Sequence, residues 1–199
     1  MSSILSAAIS KPREGGPSFS LKHRLVRLAW CFVWTFAAAW TPVPLHFWRR
    51  FLLRTFGAKI HRTAKVYPRV KIWYPPNLSM DAFSCLANHV DCYAMDKISL
   101  GQYSIVSQGA SLCCGGHNID DAHFQLVTRP IVIGPNAWVA AEAFVGGGVN
   151  VGEGAVLGAR AVTFKDLDAY SVYVGNPAKF LRRRQLPENG LNDALRDEN

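Results

Sequence analysis

The chain has 199 residues, 49% of them hydrophobic, and a formal charge of +8, which is enough length for one domain with a real core plus an appendage. The charge is uneven: residues 1–65 hold 11 Lys/Arg against one acid, Glu14, whereas residues 66–199 hold 11 Lys/Arg against 13 acids. No nucleic-acid motif accompanies the basic third, whose cations alternate with aromatic and aliphatic residues, so a nucleic-acid partner is set aside in favour of an anionic membrane surface.

Residues 1–19 contain Pro12, Gly15, Gly16 and Pro17 and are expected to be a mobile lead-in. Residues 21–40 then read as a helix stopped by Thr41-Pro42-Val43-Pro44, and residues 45–57 as a second, amphipathic helix ending at Gly57. No Lys, Arg, Asp or Glu lies between Leu28 and Trp48. The prolines nevertheless end the apolar stretch after about 14 residues, and at ~1.5 Å per residue it covers ~21 Å of a roughly 30 Å hydrocarbon layer. Lys22, Arg24 and Arg27 flank it on one side and Arg49, Arg50 and Arg54 on the other, so charge gives no orientation across a membrane. Two arrangements stay open: residues 20–56 lie in a membrane interface with Trp30, Trp34, Trp40 and Trp48 at headgroup depth, or they cap the domain behind them. The long charged lead-in argues against a secretory signal, and the expected location is cytoplasmic, peripheral on the inner face of the membrane.

From residue 60 the sequence repeats every six residues. Ile60, Val66, Ile72, Leu78, Ser84 and Val90 fall on one grid; Leu100, Val106 and Leu112 on a second; Ile133, Val139, Val145, Val151 and Leu157 on a third. Small residues such as Ala64, Ala94, Ser104, Ala110, Ala137, Ala143, Ala155 and Ala161 follow four places after the anchors. Neither a helix nor a simple strand has this period; a parallel β-helix does, each hexad forming one face of a triangular coil. The expectation is a mainly β fold of about five 18-residue coils, at 60–77, 78–95, 100–117, 133–150 and 151–168. An insertion at 96–99 and a protruding loop at 118–132 interrupt the grid. In this division residues 1–57 are the appendage, 58–184 the repeat domain and 185–199 a polar tail.

The five cysteines, Cys31, Cys85, Cys92, Cys113 and Cys114, form no C-x-x-C pair and read as soft core or corner residues rather than a disulfide or zinc framework. Of the six histidines, His61, His89, His117 and His123 lie in or beside the repeats. His117 stands out, because it falls where the third coil gives way to the loop. Asp120 and Asp121 follow it and either orient its imidazole, bind a substrate, or bond their own loop backbone.

The segments PLHFWRRFLLRTFGAKI (44–60), VSQGASLCCGGHNIDD (106–121), AWVAAEAFVGGGVNVGEGAVLGARAV (137–162) and VGNPAKFLRRR (174–184) resemble the hexapeptide-repeat acyltransferases, in particular the colanic-acid-type exopolysaccharide O-acetyltransferases, from about residue 18 to residue 184. The resemblance implies a left-handed parallel β-helix, a homotrimer, and transfer of acetyl from acetyl-CoA to a sugar hydroxyl, with no metal. The acceptor it implies is a sugar or lipid-linked oligosaccharide. It makes His117 the general base. Matching the repeats to the galactoside acetyltransferases puts Ala141 and Ala159 on the pantetheine groove, with Phe164 and Lys165 in the next corner. It also puts Lys179 and Arg182 at the phosphate end, and Trp138 beside the thioester or at a subunit contact. On the acceptor side, Cys85 occupies the place of an acceptor-binding Asn, and Asp91 is a further candidate. An acyl-cysteine route through Cys113 or Cys114 is disfavoured, since no histidine base is paired with either. Two rival readings remain: a zinc carbonic anhydrase on His89, His117 and His123, and a non-catalytic trimeric scaffold.

Overall fold

The hexads fold into very short strands joined by tight corners in the computed structural model, which describes residues 4–185. The first coil is β1 (Lys59–Ile60), β2 (Lys65–Val66) and β3 (Lys71–Ile72), and the second β4 (Leu78–Met80), β5 (Cys85–Leu86) and β6 (Asp91–Tyr93). The third is β7 (Ile98–Leu100), β8 (Ile105–Val106) and β9 (Ser111–Cys113). A hairpin of β10 (Gly115–His117) and β11 (Leu126–Thr128) follows. Coil four is β12 (Ile131–Ile133), β13 (Trp138–Val139) and β14 (Phe144–Gly146), and coil five β15 (Asn150–Val151), β16 (Val156–Leu157) and β17 (Val162–Thr163). A partial sixth coil starts where Leu167 bridges Val151 and ends in β18 (Ser171–Val174), which turns back antiparallel into β19 (Lys179–Arg183).

The strands stack into three faces, ordered β1-β4-β7-β12-β15, β2-β5-β8-β13-β16-β18-β19 and β3-β6-β9-β14-β17. Pairing between coils is parallel throughout. Inward residues such as Val66, Leu86, Val106, Val139 and Leu157 are wholly buried, so each coil's apolar side chains stack on the next and the core runs the length of the prism. The corners repeat as regularly as the faces. Phe83, Tyr103, Asn136 and Tyr170 occupy one edge, and His89, Glu142 and Arg160 another, all at φ between 53° and 61°. This left-handed backbone is costly for non-glycine residues, and stacking offsets part of the cost: the Phe83 and Tyr103 rings lie 4.8 Å apart at 5°. His89 is thus a corner residue. Gly134 and Gly152 serve a different need, close approach between coils, since a Cβ at Gly152 would sit 2.6 Å from the Ala169 nitrogen.

The register corrects the second coil of the sequence reading. Ile60 pairs with Met80, Val66 with Leu86 and Ile72 with Cys92, so the coil is displaced by two residues, taken up by a 3-10 turn at Pro75–Asn77. Ser84 and Val90 are corner fillers rather than anchors. Corner fillers also point inward, which is why Val90 imitates an anchor, and the Ser84 hydroxyl is satisfied by the Asp81 carbonyl at 2.7 Å. Residues 96–99 are not an insertion as a whole, because Ile98 and Ser99 pair with Leu78 and Ser79. The excursion expected at 118–132 begins earlier and ends earlier: Gly115 pairs with Thr128 and His117 with Leu126, while Ile131–Ile133 is back in the first face. His117 therefore stands on the hairpin and does not close a coil.

The appendage closes the open end of the prism. Helix α1 (Ala7–Ser10) is a short turn; α2 (Leu21–Ala37) starts at the Ser20 cap, whose side chain accepts from the His23 amide, and α3 (His46–Thr55) follows. The first coil has no coil before it, so its edge carbonyls need donors. The indoles of Trp30 and Trp34 donate to the carbonyls of Ile72 and Val70 at 2.7 and 2.8 Å. Arg49, Arg50 and Arg54 donate to Val66, Ala64 and Ile60 at 2.7, 2.9 and 2.8 Å. Three of the eleven cations that suggested a membrane are therefore spent on backbone. The opposite side of the same helices is bare: Leu21, Leu25, Leu28, Phe32, Phe36, Trp40, Phe47 and Phe51 are each more than half exposed. Among the described residues no helix is long and apolar enough to cross a membrane.

Candidate active site

The hairpin that carries His117 springs from the corner between the third and first faces, and its root is tied to the prism by the Arg129 amide on the Cys114 carbonyl at 3.0 Å. The lead-in, for which the sequence suggests mobility, is fastened to this hairpin. The Ala7 amide donates to Gln125 Oε1 at 2.7 Å, and Gln125 Nε2 returns a bond to the Leu5 carbonyl at 3.3 Å. Ile4 bridges Phe19, and the Arg13 guanidinium lies 5.9 Å over the Phe124 ring. The strap thus closes a cleft of about 480 Å³ whose walls include Phe19, Arg24, Arg27, Trp73, Tyr93 and His117.

His117 is held in one tautomer. Its Nδ1 lies 2.9 Å from the Phe124 carbonyl oxygen, which can only accept, so Nδ1 carries a hydrogen and, in the neutral ring, the lone pair is on Nε2. The imidazole also stacks on the Phe124 ring at 4.4 Å and 13°. Asp120 and Asp121 do not supply this orientation. Asp121 accepts from the amides of His123 and Gln125, and the Asp120 amide donates to Asn118 Oδ1; these are turn bonds that shape the loop holding Phe124 in place.

Cys85 lies on the second face between Lys65 and Ile105, away from the cleft. Asp91 lies on the third face beside an adjoining groove, which shares Arg27, Trp73 and Tyr93 with the His117 cleft. Burial pushes the Cys114 thiol up to about 12, which deprives it of the thiolate needed for attack. His89, His117 and His123 do not converge: among the described residues no group of three His, Cys, Asp or Glu side chains is placed to hold a metal.

The candidate donor residues are spread over the chain. Ala141 and Ala159 occupy equivalent corners between the second and third faces, joined by the Arg160 amide on the Ala141 carbonyl. Phe164 is exposed and tilts against Phe144 at 5.5 Å, and Lys165 beside it is exposed too. Trp138 stands on the second face with its indole donating to Ser107 at 2.9 Å. Lys179 and Arg182 project from β19, whereas Arg183 and Arg184 are tied to the backbone carbonyls of Ala169 and Asn136. None of these donor residues lines the cleft at His117.

Residues 4–19, Arg24, Arg27, Trp73 and Tyr93 were not identified from the sequence as site residues. Trp73 and Tyr93 each directly follow an inward residue, Ile72 and Cys92, and so project outward beside one another with ring centres 5.5 Å apart. Large aromatics in that outward place were the available signal.

No family model matches the chain. It is 42% identical over 155 residues to an Escherichia coli K12 protein named as the colanic acid biosynthesis acetyltransferase WcaF, covering 78% of this chain and 85% of that one. The chain belongs to the colanic-acid-type hexapeptide-repeat acetyltransferases. Its fold matches a maltose O-acetyltransferase from Clostridium difficile 630 at a TM-score of 0.73, with 21% identity over 84% of this chain and 90% of that one. It also matches a hexapeptide-repeat acetyltransferase of Vibrio cholerae, solved with acetyl coenzyme A, at 0.72, with 17% identity over 92% and 100% of the two chains. As a member of this acetyltransferase family the chain has the left-handed β-helix, here with five complete coils and a partial sixth.

His23 fixes the strap side of the cleft. It is buried, stacks on Phe19 at 4.7 Å, packs tilted against Tyr74 at 4.2 Å, and its Nδ1 has no partner among the described residues. Burial, then the nearby Arg27 charge, lowers its basicity, so the folded state favours neutral imidazole. This contribution is complete above the ordinary imidazole value of about 6.5 and is lost as pH falls through the lowered folded value. Proteolysis of the strap is expected to accelerate on acidification in the native chain and much less in His23→Phe; equal acceleration in both would remove His23 from this role.

Proposed function

We propose that this acetyltransferase moves the acetyl group of acetyl-CoA onto a sugar hydroxyl, with His117 as general base. The observation that carries the reading is the single-tautomer imidazole, its Nε2 lone pair available beside a cleft with aromatic walls. Nε2 takes the hydroxyl proton as the sugar oxygen attacks the thioester carbon. The tetrahedral oxyanion then collapses, the C–S bond breaks, and the proton passes from the imidazolium to the departing thiolate. Ala141, Ala159 and Phe164 are the apolar residues proposed for the pantetheine arm, with Trp138 near the thioester. Lys165, Lys179 and Arg182 are proposed for the phosphates, and Asp91 and Cys85 remain acceptor candidates. The separation of these residues from His117 supports a homotrimer, in which one subunit's hairpin faces a neighbour's corners. Acetyl-dependent release of coenzyme A thiol over a panel of sugars tests the reading. A purified chain that fails to bind coenzyme A would instead be a scaffold.

The bare apolar side of α2 and α3, rimmed by Lys22 and Arg24, supports peripheral contact of residues 20–56 with the inner face of a membrane. Phe32→Asp/Phe36→Asp is expected to cut co-sedimentation with anionic lipid vesicles by at least tenfold, since each buried aromatic contributes roughly 1.5–3 kcal/mol. Unchanged sedimentation, or a fall in oligomer mass instead, assigns this face to contacts between copies.

A further inference from the structure

We infer that Arg24 and Arg27 form a phosphate subsite, so that the acceptor is a phosphate-linked sugar rather than a free one. The inference rests on the sugar O-acetylation proposed above and narrows its acceptor. Two guanidinium groups line the His117 cleft, and among the described residues no Asp or Glu does. Neither guanidinium is spent inside the chain: the ion pairs among the described residues are Lys11–Glu14 and Arg160–Glu142. This contrasts with the arginines of α3, whose donors are committed to backbone carbonyls. The Arg27 guanidinium lies 3.9 Å over the Trp73 ring. Stacked in that way it offers its N–H donors in its own plane, the fork that matches phosphate oxygens.

The order of side chains around α2 points the same way. At ~100° per residue, Arg27, Arg24 and Leu28 follow one another around the helix, from the cleft wall to the bare apolar stripe. Arg27 is half-buried, Arg24 exposed, and Leu28 is 68% exposed at the edge of the stripe. A sugar held at His117 would thus have its anomeric phosphates at Arg27 and Arg24, and anything attached beyond them would emerge along Leu21, Leu25 and Leu28. Both a nucleoside diphosphate and a polyprenyl diphosphate carry the required phosphates. An apolar exit favours the second.

The test uses the full chain with coenzyme A saturating, so that the phosphate end of the donor site is filled. Inorganic pyrophosphate is titrated by calorimetry and is expected to bind once per chain. The Arg24→Gln/Arg27→Gln protein, checked for an unchanged melting midpoint, is expected to bind it at least tenfold more weakly. Arg27→Lys tests the planar fork and should recover only part of the affinity. No binding, or equal binding by the double variant, overturns the inference. Because this readout needs no acetyl transfer, it stands apart from failure of the O-acetylation reading, which shows as absent thiol release on every sugar. UDP and a polyprenyl diphosphate in micelles separate the two sources by which competes better with pyrophosphate; competition by neither also overturns the inference.

Discussion

His117→Ala is expected to lower acetyl transfer by roughly 10²–10⁴-fold, the usual contribution of a positioned general base. Coenzyme A affinity and oligomer mass should stay at their native values. The side chain is exposed on a hairpin outside the prism core, so its removal opens no cavity in the stack. What is lost is the Nε2 acceptor whose tautomer the Phe124 carbonyl fixes. Thiol release measured with a saturating sugar acceptor checks this, and turnover equal to the native protein would take His117 out of the mechanism. Asp121→Asn is the informative companion. Since Asp121 accepts two loop amides and does not touch the imidazole, a retained amide oxygen should preserve most of the rate. A loss as deep as that of His117→Ala would restore a direct role for the carboxylate.

Arg49→Leu is expected to cost about 3 kcal/mol of stability. Arg49 is completely buried and, among the described residues, has no carboxylate partner. Its charge is held by the Val66 carbonyl at 2.7 Å, the Thr41 hydroxyl at 2.7 Å, and the carbonyls of Pro42 and Val43. Leucine keeps much of the volume but removes the donors to these groups, and each buried acceptor left unpaired costs ~1–3 kcal/mol. His46 still reaches the Val66 carbonyl at 2.9 Å, which limits the loss. At roughly 2–4 °C per kcal/mol for a chain of this size, the melting midpoint should fall by about 6–12 °C. Arg49→Lys should do nearly as badly, because a single ammonium cannot span the same acceptors. A native midpoint in Arg49→Leu would mean that the cap contributes little.

The prism was legible because its period is unlike that of any other regular structure, and His117 because the period breaks beside it. The second coil was misplaced because the sequence signal is inward-pointing character, which anchors and corner fillers share; Val90 and Cys92 are both wholly buried. The exact span of the hairpin was hidden for a related reason. Gly115 and Gly116 carry no side chain to mark a face, so nothing announced that the chain had already left the coil. In the sequence Arg24, Arg27 and Arg49 are distinguishable only as basic flanks of the apolar stretch, suited to a membrane surface. Whether an arginine on these helices is spent on the backbone depends on its angular position relative to a prism end that adjoins it only after folding.

The capped ends have a consequence for how copies of this chain can meet. A stack of parallel coils is open-ended by nature: each end presents the same unpaired backbone that joins one coil to the next, an invitation to fibre growth. Here two indoles and three guanidinium groups occupy one terminus, and the reversed strand β19 edges the second face at the other. Growth through the first terminus is thereby blocked on all three faces, and at the other end the second face is turned back on itself.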